Sequence, residues 1–248
     1  MLVEKDIKVV YLWDKQVRPE IEPNYLCFTS EEANVTIRLH KRGSPTSVEI
    51  ETSTDWTTWS DYTFDAYITL ANIWDKVYFR NKSTTDTWFS TSSSNYYQFI
   101  MSWAIGASWD ITTLLNKKGT KTLHGNYCFY SLFSNSNLTT APSLPATTLT
   151  EWCYGYMFNT CTSLSTIPAL PATTLTTGCY YNMFYKCYPI HLSTTQTWDY
   201  QTPYRIPTTW TWTAGSISLN DMFSSTWWTF TWTPSVNTTY YTSNTVVS

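Results

Sequence analysis

The chain has 248 residues, 13% of them charged and 18% aromatic, with a net charge of −3 and a pI near 5.6. That length holds one or two domains with a sizeable core, and without a basic surplus to neutralise phosphates a dedicated nucleic-acid binder is excluded. No run approaches the ~18–20 apolar residues of a membrane span, and Glu4, Asp6 and Lys8 stand where a signal peptide needs an apolar stretch, so the expectation is a soluble chain that is not conventionally secreted. Threonine is heavily used, at 45 residues, while glycine numbers only 7 and tryptophan reaches 14. Thr favours strands and satisfies turn backbones, so this composition predicts a β-rich or solenoid protein and excludes a helical bundle.

Asp6 to Trp13 is a short β-type run. Val35, Ile37 and Leu39 alternate with Thr36, Arg38 and His40, the pattern of a half-buried strand. Lys41 to Pro45 reads as a turn, Val48 and Ile50 alternate with polar neighbours, and Tyr67–Leu70 and Lys76–Arg80 read as further strands. Short strands broken by turns predict a β-sandwich over 24–103. Charge then thins: 1–82 holds 10 of the 15 basic and 13 of the 18 acidic residues, whereas 122–248 holds five charges in all. Such a shift marks a change of architecture.

The middle of the chain repeats. Leu144-Pro-Ala-Thr-Thr-Leu-Thr150 recurs as Leu170-Pro-Ala-Thr-Thr-Leu-Thr176, and Cys153, Met157, Phe158 and Cys161 recur as Cys179, Met183, Phe184 and Cys187. Cys128 and Leu132-Phe133 echo the unit upstream, and Ser218 to Phe223 echoes it downstream. A period of about 26 residues fits a leucine-rich-repeat solenoid, whose units must stack to bury their apolar sides. The i,i+4 spacing of Cys153 with Met157, and of Tyr154 with Phe158, predicts a short helix in each coil, with Leu164, Ile167 and Leu170 on the strand side. The expected fold class is therefore β-rich α+β: an N-terminal β-sandwich, then a short solenoid of one strand and one short helix per coil over 104–195, then a partial repeat and cap over 196–248. Cys128, Cys153 and Cys179 form one ladder of equivalent positions and Cys161 and Cys187 another, the arrangement of buried structural thiols; no C-x-x-C is present to hold zinc.

The stretch from about Asn126 to Ile190, with its Leu-Pro-Ala-Thr-Thr-Leu and Cys-Tyr-x-x-Met-Phe-x-x-Cys motifs, resembles the BspA-like leucine-rich-repeat family. Ser53 to Phe79 is similar to the β-domain that often precedes such repeats, and Asp199 to Ser248 to the tail that follows them. Asp6 to Pro19 is similar to the N-terminal motif of bacteriophage tail-fibre-type structural proteins, which makes 1–23 a docking segment. The resemblance implies a virion or a bacterial cell surface as location, surface recognition or attachment as role, and no catalysis. It also gives the tryptophans a second reading, because the resembled proteins carry glycine at the positions of Trp13, Trp56 and Trp74. Within the chain Trp152 aligns with Gly178, and Trp74 and Trp227-Trp228 fall at turn-like sites. Either several of these positions are UGA codons that the host reads as glycine, or the chain carries a Trp-rich contact surface; Trp59 reads as tryptophan in both cases.

The catalytic inventory is sparse. His40 sits beside Lys41 and Arg42 at a strand end, His124 precedes Cys128 by four residues, and His191 closes the last clear repeat. Cys128 belongs to the repeat ladder, so packing outweighs a Cys/His nucleophile there. Glu31 and Glu32 are adjacent on an extended chain and point to opposite faces. Glu151 is the sole acid between Asp110 and Asp199, so the repeats cannot supply the two facing carboxylates of a glycosidase. No catalytic residue, cofactor or metal is expected. Tyr130, Tyr156, Tyr181 and Tyr185 are the candidate contact residues, because Tyr gives rigid amphipathic contact area at low entropic cost. The expected partners are a host cell-surface protein or glycan and other subunits of the assembly, with neither nucleic acid nor membrane span. Two alternatives stand beside this reading: a purely structural protein that self-associates through sheet edges and solenoid ends, and a glycan depolymerase with its acids in the N-terminal domain.

Overall fold

The computed structural model describes residues 24–210, 213–226 and 233–248; the expected docking segment 1–23 and the Trp227-Trp228 pair lie outside them. Eight strands form the first part: β1 (Leu26–Ser30), β2 (Val35–Arg42), β3 (Ile50–Ser53), β4 (Ser60–Asp61), β5 (Ile68–Leu70), β6 (Lys76–Asn81), β7 (Tyr96–Met101) and β8 (Ile105–Ser108). In β2 the alternation buries Val35, Ile37 and Leu39 and leaves Thr36, Arg38 and His40 half-buried. The strand continues through Lys41 and Arg42, so the expected turn starts later, at Gly43, whose φ is +65°. One sheet has the order β4-β3-β6-β1-β8-β9, with β9 at Leu138–Thr140; the other is β5-β2-β7. They meet through aromatic rings: Phe28 of β1 and Phe79 of β6 lie 4.7 and 5.1 Å from Phe99 of β7.

Both sheets run on into the repeats. β8 pairs parallel with β9, and a Cβ at Gly106 would sit 2.7 Å from the Thr140 hydroxyl, so only glycine allows that approach. On the other side the Phe99 N–H of β7 donates to the Leu132 carbonyl at 2.8 Å. The expected helix per coil is absent, and this overturns the α+β fold class and its leucine-rich-repeat form. Among the described residues the helical conformation is confined to one 3-10 turn, Ile111–Leu114, capped by Asp110. The segments 127–136, 152–161, 178–187 and 217–226 are instead staircases of tight turns. Every fourth residue is left-handed, with φ between 50 and 62°: Tyr127, Ser131 and Asn135, then Trp152, Tyr156 and Thr160, then Gly178, Asn182 and Lys186, then Ile217, Asp221 and Ser225.

The backbone amides explain the difference. In each coil alternate N–H groups close i→i−3 turns, as from Tyr130 to Tyr127 and from Leu132 to Phe129. The intervening ones cross to the next coil: Phe129 to Cys153 at 2.7 Å, Tyr154 to Cys179 at 3.0 Å, Tyr180 to Ser218 at 2.9 Å. A helix would keep all these bonds to itself; here half of them join coils as strands are joined. A staircase with a period of four returns residues i and i+4 to the same side, as a helix nearly does with its 3.6, and over ten residues the two patterns look alike. Tyr, Phe, Cys, Asn and Thr, which fill these segments, are weak helix formers and do not resist.

The inward positions build ladders. Phe99, Phe133, Phe158, Phe184 and Phe223 stack in series at 5.3–5.6 Å with planes within 12°, and Phe129, Tyr154 and Tyr180 form a second series at 5.8 and 5.9 Å. Each such pair adds about 0.5–1.5 kcal/mol to its area burial. Met157, Met183, Leu164 and Leu170 are buried beside them, and one hydrophobic cluster extends from Leu26 to Tyr240. β10 (Thr166–Pro168) supplies the strand side of the second coil.

Coil spacing then lengthens: Tyr127, Trp152 and Gly178 are 25 and 26 residues apart, but Ile217 follows after 39. β11 (Thr174–Leu175) pairs parallel with β14 (Thr213–Ala214). β12 (Leu192–Ser193) and β13 (Thr202–Arg205) flank β15 (Thr239–Thr242) in an antiparallel sheet. β16 (Thr245–Val247) returns to lie parallel to β10, filling the place of a further coil strand.

Candidate functional site

The outward side of the staircases carries a row of tyrosines. Position 130 of the first coil corresponds to Gly155 in the second and Tyr181 in the third. Gly155 has no side chain, and a Cβ there would come within 3.3 Å of the Tyr130 ring. The ring of the next residue, Tyr156, takes that place. It lies 5.4 Å from Tyr130 on one side and 5.4 Å from Tyr181 on the other. Tyr96 of β7 extends the row, 5.5 Å from Tyr130. Tyr127 joins Tyr130 at 5.5 Å and stacks on Trp152 at 6.1 Å, and Trp152 reaches Tyr181 at 5.3 Å. All six side chains are half-buried.

The row is uncharged. Burial, with smaller contributions from Tyr156 and Tyr96, pushes the Tyr130 hydroxyl up to about 12, and burial and then Tyr156 raise that of Tyr181. These phenols stay protonated at neutral pH, each able to donate and accept a hydrogen bond. Next to Tyr127 and Trp152 in the chain, Asn126 donates to the Glu151 carboxylate at 3.2 Å.

Of the four expected contact residues, the fold brings Tyr130, Tyr156 and Tyr181 together. Tyr185 is half-buried, and its ring faces the Lys186 ammonium at 5.1 Å, apart from that row. Sequence reasoning missed Tyr96 and Tyr127. Tyr96 lies in a strand outside the repeat, and no alignment of repeat units reveals that β7 borders the first coil. Tyr127 lacked a signal because its equivalents are Trp152 and Gly178.

All six cysteines are unbridged and buried. The Cys161 and Cys187 thiols donate to the carbonyls of Phe133 and Phe158 in the preceding coils, both at 3.0 Å. Burial and then the Asp86 charge push the Cys128 thiol far upward, which removes the thiolate a nucleophile requires. His124 pairs instead with Asp86, Nε2 to carboxylate at 2.8 Å. His40 meets Asp65, and the His191 N–H donates to the Asn244 side chain at 2.9 Å. Among the described residues no group of three or more His, Cys, Asp or Glu could hold a metal ion, and no helix is long and apolar enough to cross a membrane.

Comparison of the chain with family models, with curated proteins and with solved structures returns no match.

Proposed function

We propose that this chain is a non-enzymatic recognition protein whose row of Tyr96, Tyr130, Tyr156 and Tyr181 contacts a host cell-surface glycan or protein, carried on a virion or on a bacterial surface. One observation carries the reading: four half-buried tyrosines at 5.4–5.5 Å spacing on a backbone hydrogen-bonded from coil to coil. Aromatic faces suit the apolar faces of sugar rings, their hydroxyls suit the polar rims, and a rigid scaffold lowers the ordering cost of binding. The resemblance of the repeats to surface proteins and of the N-terminal segment to tail-fibre-type proteins supports the location.

The test is binding of the full chain to arrayed bacterial surface glycans and to host cells, beside Tyr156→Ala and Tyr181→Ala. The expected outcome is binding that each variant weakens at least about tenfold, the loss of a well-packed aromatic anchor. Because the row is uncharged, affinity should change little between low and high salt. Binding that ignores both variants, or that falls steeply with salt, contradicts the proposal.

A further inference from the structure

Seventeen non-glycine residues have left-handed backbone among the described residues. Eleven belong to the staircases, where the inter-coil hydrogen bonds impose that conformation whatever the side chain. The other six are Asn34, Asp65, Asn237, Trp56, Trp74 and Trp109. Asn and Asp enter this region at low cost because their short polar side chains bond locally. Tryptophan has no such means, and for a bulky residue a positive φ is a true outlier. None of the ten described phenylalanines shares it.

Local geometry at each position asks for glycine. At Trp74 (φ +73°) the Asp75 N–H closes a turn onto the Asn72 carbonyl, and only the third residue of that turn has positive φ. This is the type II pattern, which takes glycine there. The Trp74 N–H is held to the Ser30 carbonyl at 2.9 Å, so the backbone cannot swing away. At Trp109 (φ +67°) the carbonyl accepts the Ser143 N–H at 2.8 Å, and β8 ends one residue before it. At Trp56 (φ +53°) the flanking Asp55 carboxylate caps the Thr57 and Thr58 N–H groups at 2.9 and 2.7 Å.

Ring packing does not offset this. Trp74 and Trp109 are 72% and 40% exposed, Trp56 is half-buried, and none of the three indoles stacks on another ring among the described residues. Trp59 is the contrast: its indole lies 3.6 Å from the Arg80 guanidinium and 5.0 Å from the Tyr25 ring, and it donates to the Trp56 carbonyl at 3.0 Å. Trp152 is set aside, because Tyr127 and Ile217 hold the same staircase position and its indole is packed.

We infer that Trp56, Trp74 and Trp109 stand at UGA codons, and that the organism making this protein inserts glycine at all three. This inference is independent of the tyrosine row, which contains none of them. It also removes these indoles from any contact surface.

The test is thermal unfolding of the full chain with W56G, W74G and W109G combined, beside the parent and W59G. The triple variant should raise Tm by about 2–4 °C, while W59G lowers it. An unchanged or lowered Tm in the triple variant overturns the inference. Mass spectrometry of the peptides spanning these positions, from protein recovered from its own host, reads the residue directly: glycine supports it, and tryptophan overturns it.

Discussion

The inward thiols act as small apolar residues with a weak donor, and their protonation ties folding to pH. Burial pushes Cys161 up to about 11 and Cys179 up to about 12, from an ordinary value near 9. Above pH 9 the unfolded chain therefore releases protons that the folded chain retains. Stability from these groups is complete below pH 9 and is lost as pH rises towards 11–12. Urea unfolding should show the unfolding free energy falling over that window, by roughly 1 kcal/mol per pH unit for each thiol. Replacing Cys161 and Cys179 with Ala should flatten the decline, measured as the difference in slope between variant and parent.

The turn staircase is the element that reading for a helix missed, and it has its own energetics. Its left-handed positions accept any residue at a cost, and that cost is greatest for β-branched side chains. Ile217 pays it with φ +50° while 37% exposed. Ile217→Asn should therefore stabilise the protein by about 1 kcal/mol in chemical denaturation; a helical fourth coil would lose stability instead. The closing strand depends on a different device. The buried Asn244 side chain donates to the carbonyls of Ser165 and Pro189 at 2.7 and 3.0 Å and accepts from the His191 N–H and the Thr242 hydroxyl. Asn244→Ala should cost about 2–3 kcal/mol, since it orphans several buried groups at once. Hydrogen exchange at the Ala169 amide, which bonds to Val247, should accelerate first.

Across the molecule, the two N-terminal sheets and the coils share one interior. Phe133 of the first coil stacks on Phe99 at 5.6 Å and meets Phe28 at 6.1 Å, so the repeats rest on the sheets as each coil rests on the next. Calorimetry should find a single unfolding transition with matching van't Hoff and calorimetric enthalpies. Two separated transitions would mean that the sheets and the coils fold independently. By the same packing, a fragment starting at residue 104 would expose Phe129 and Phe133 and lose stability.

Much was legible from residue order alone. The alternation in 35–39, the recurrence of Cys, Met and Phe, and the burial of one side of each coil all follow from apolar spacing, because spacing decides which side chains share a face. The tyrosines at 130, 156 and 181 were visible as unit-to-unit variation on the opposite face. Spacing does not say where amide hydrogens point. That choice, between carbonyls of the same segment and carbonyls one coil away, separates a helix from a staircase, and it is made only when neighbouring coils are present to accept. The place of Tyr96 beside Tyr130, the return of β16 to β10 and the left-handed backbone at Trp56, Trp74 and Trp109 likewise depend on segments far apart in the chain, whose meeting only the folded structure decides.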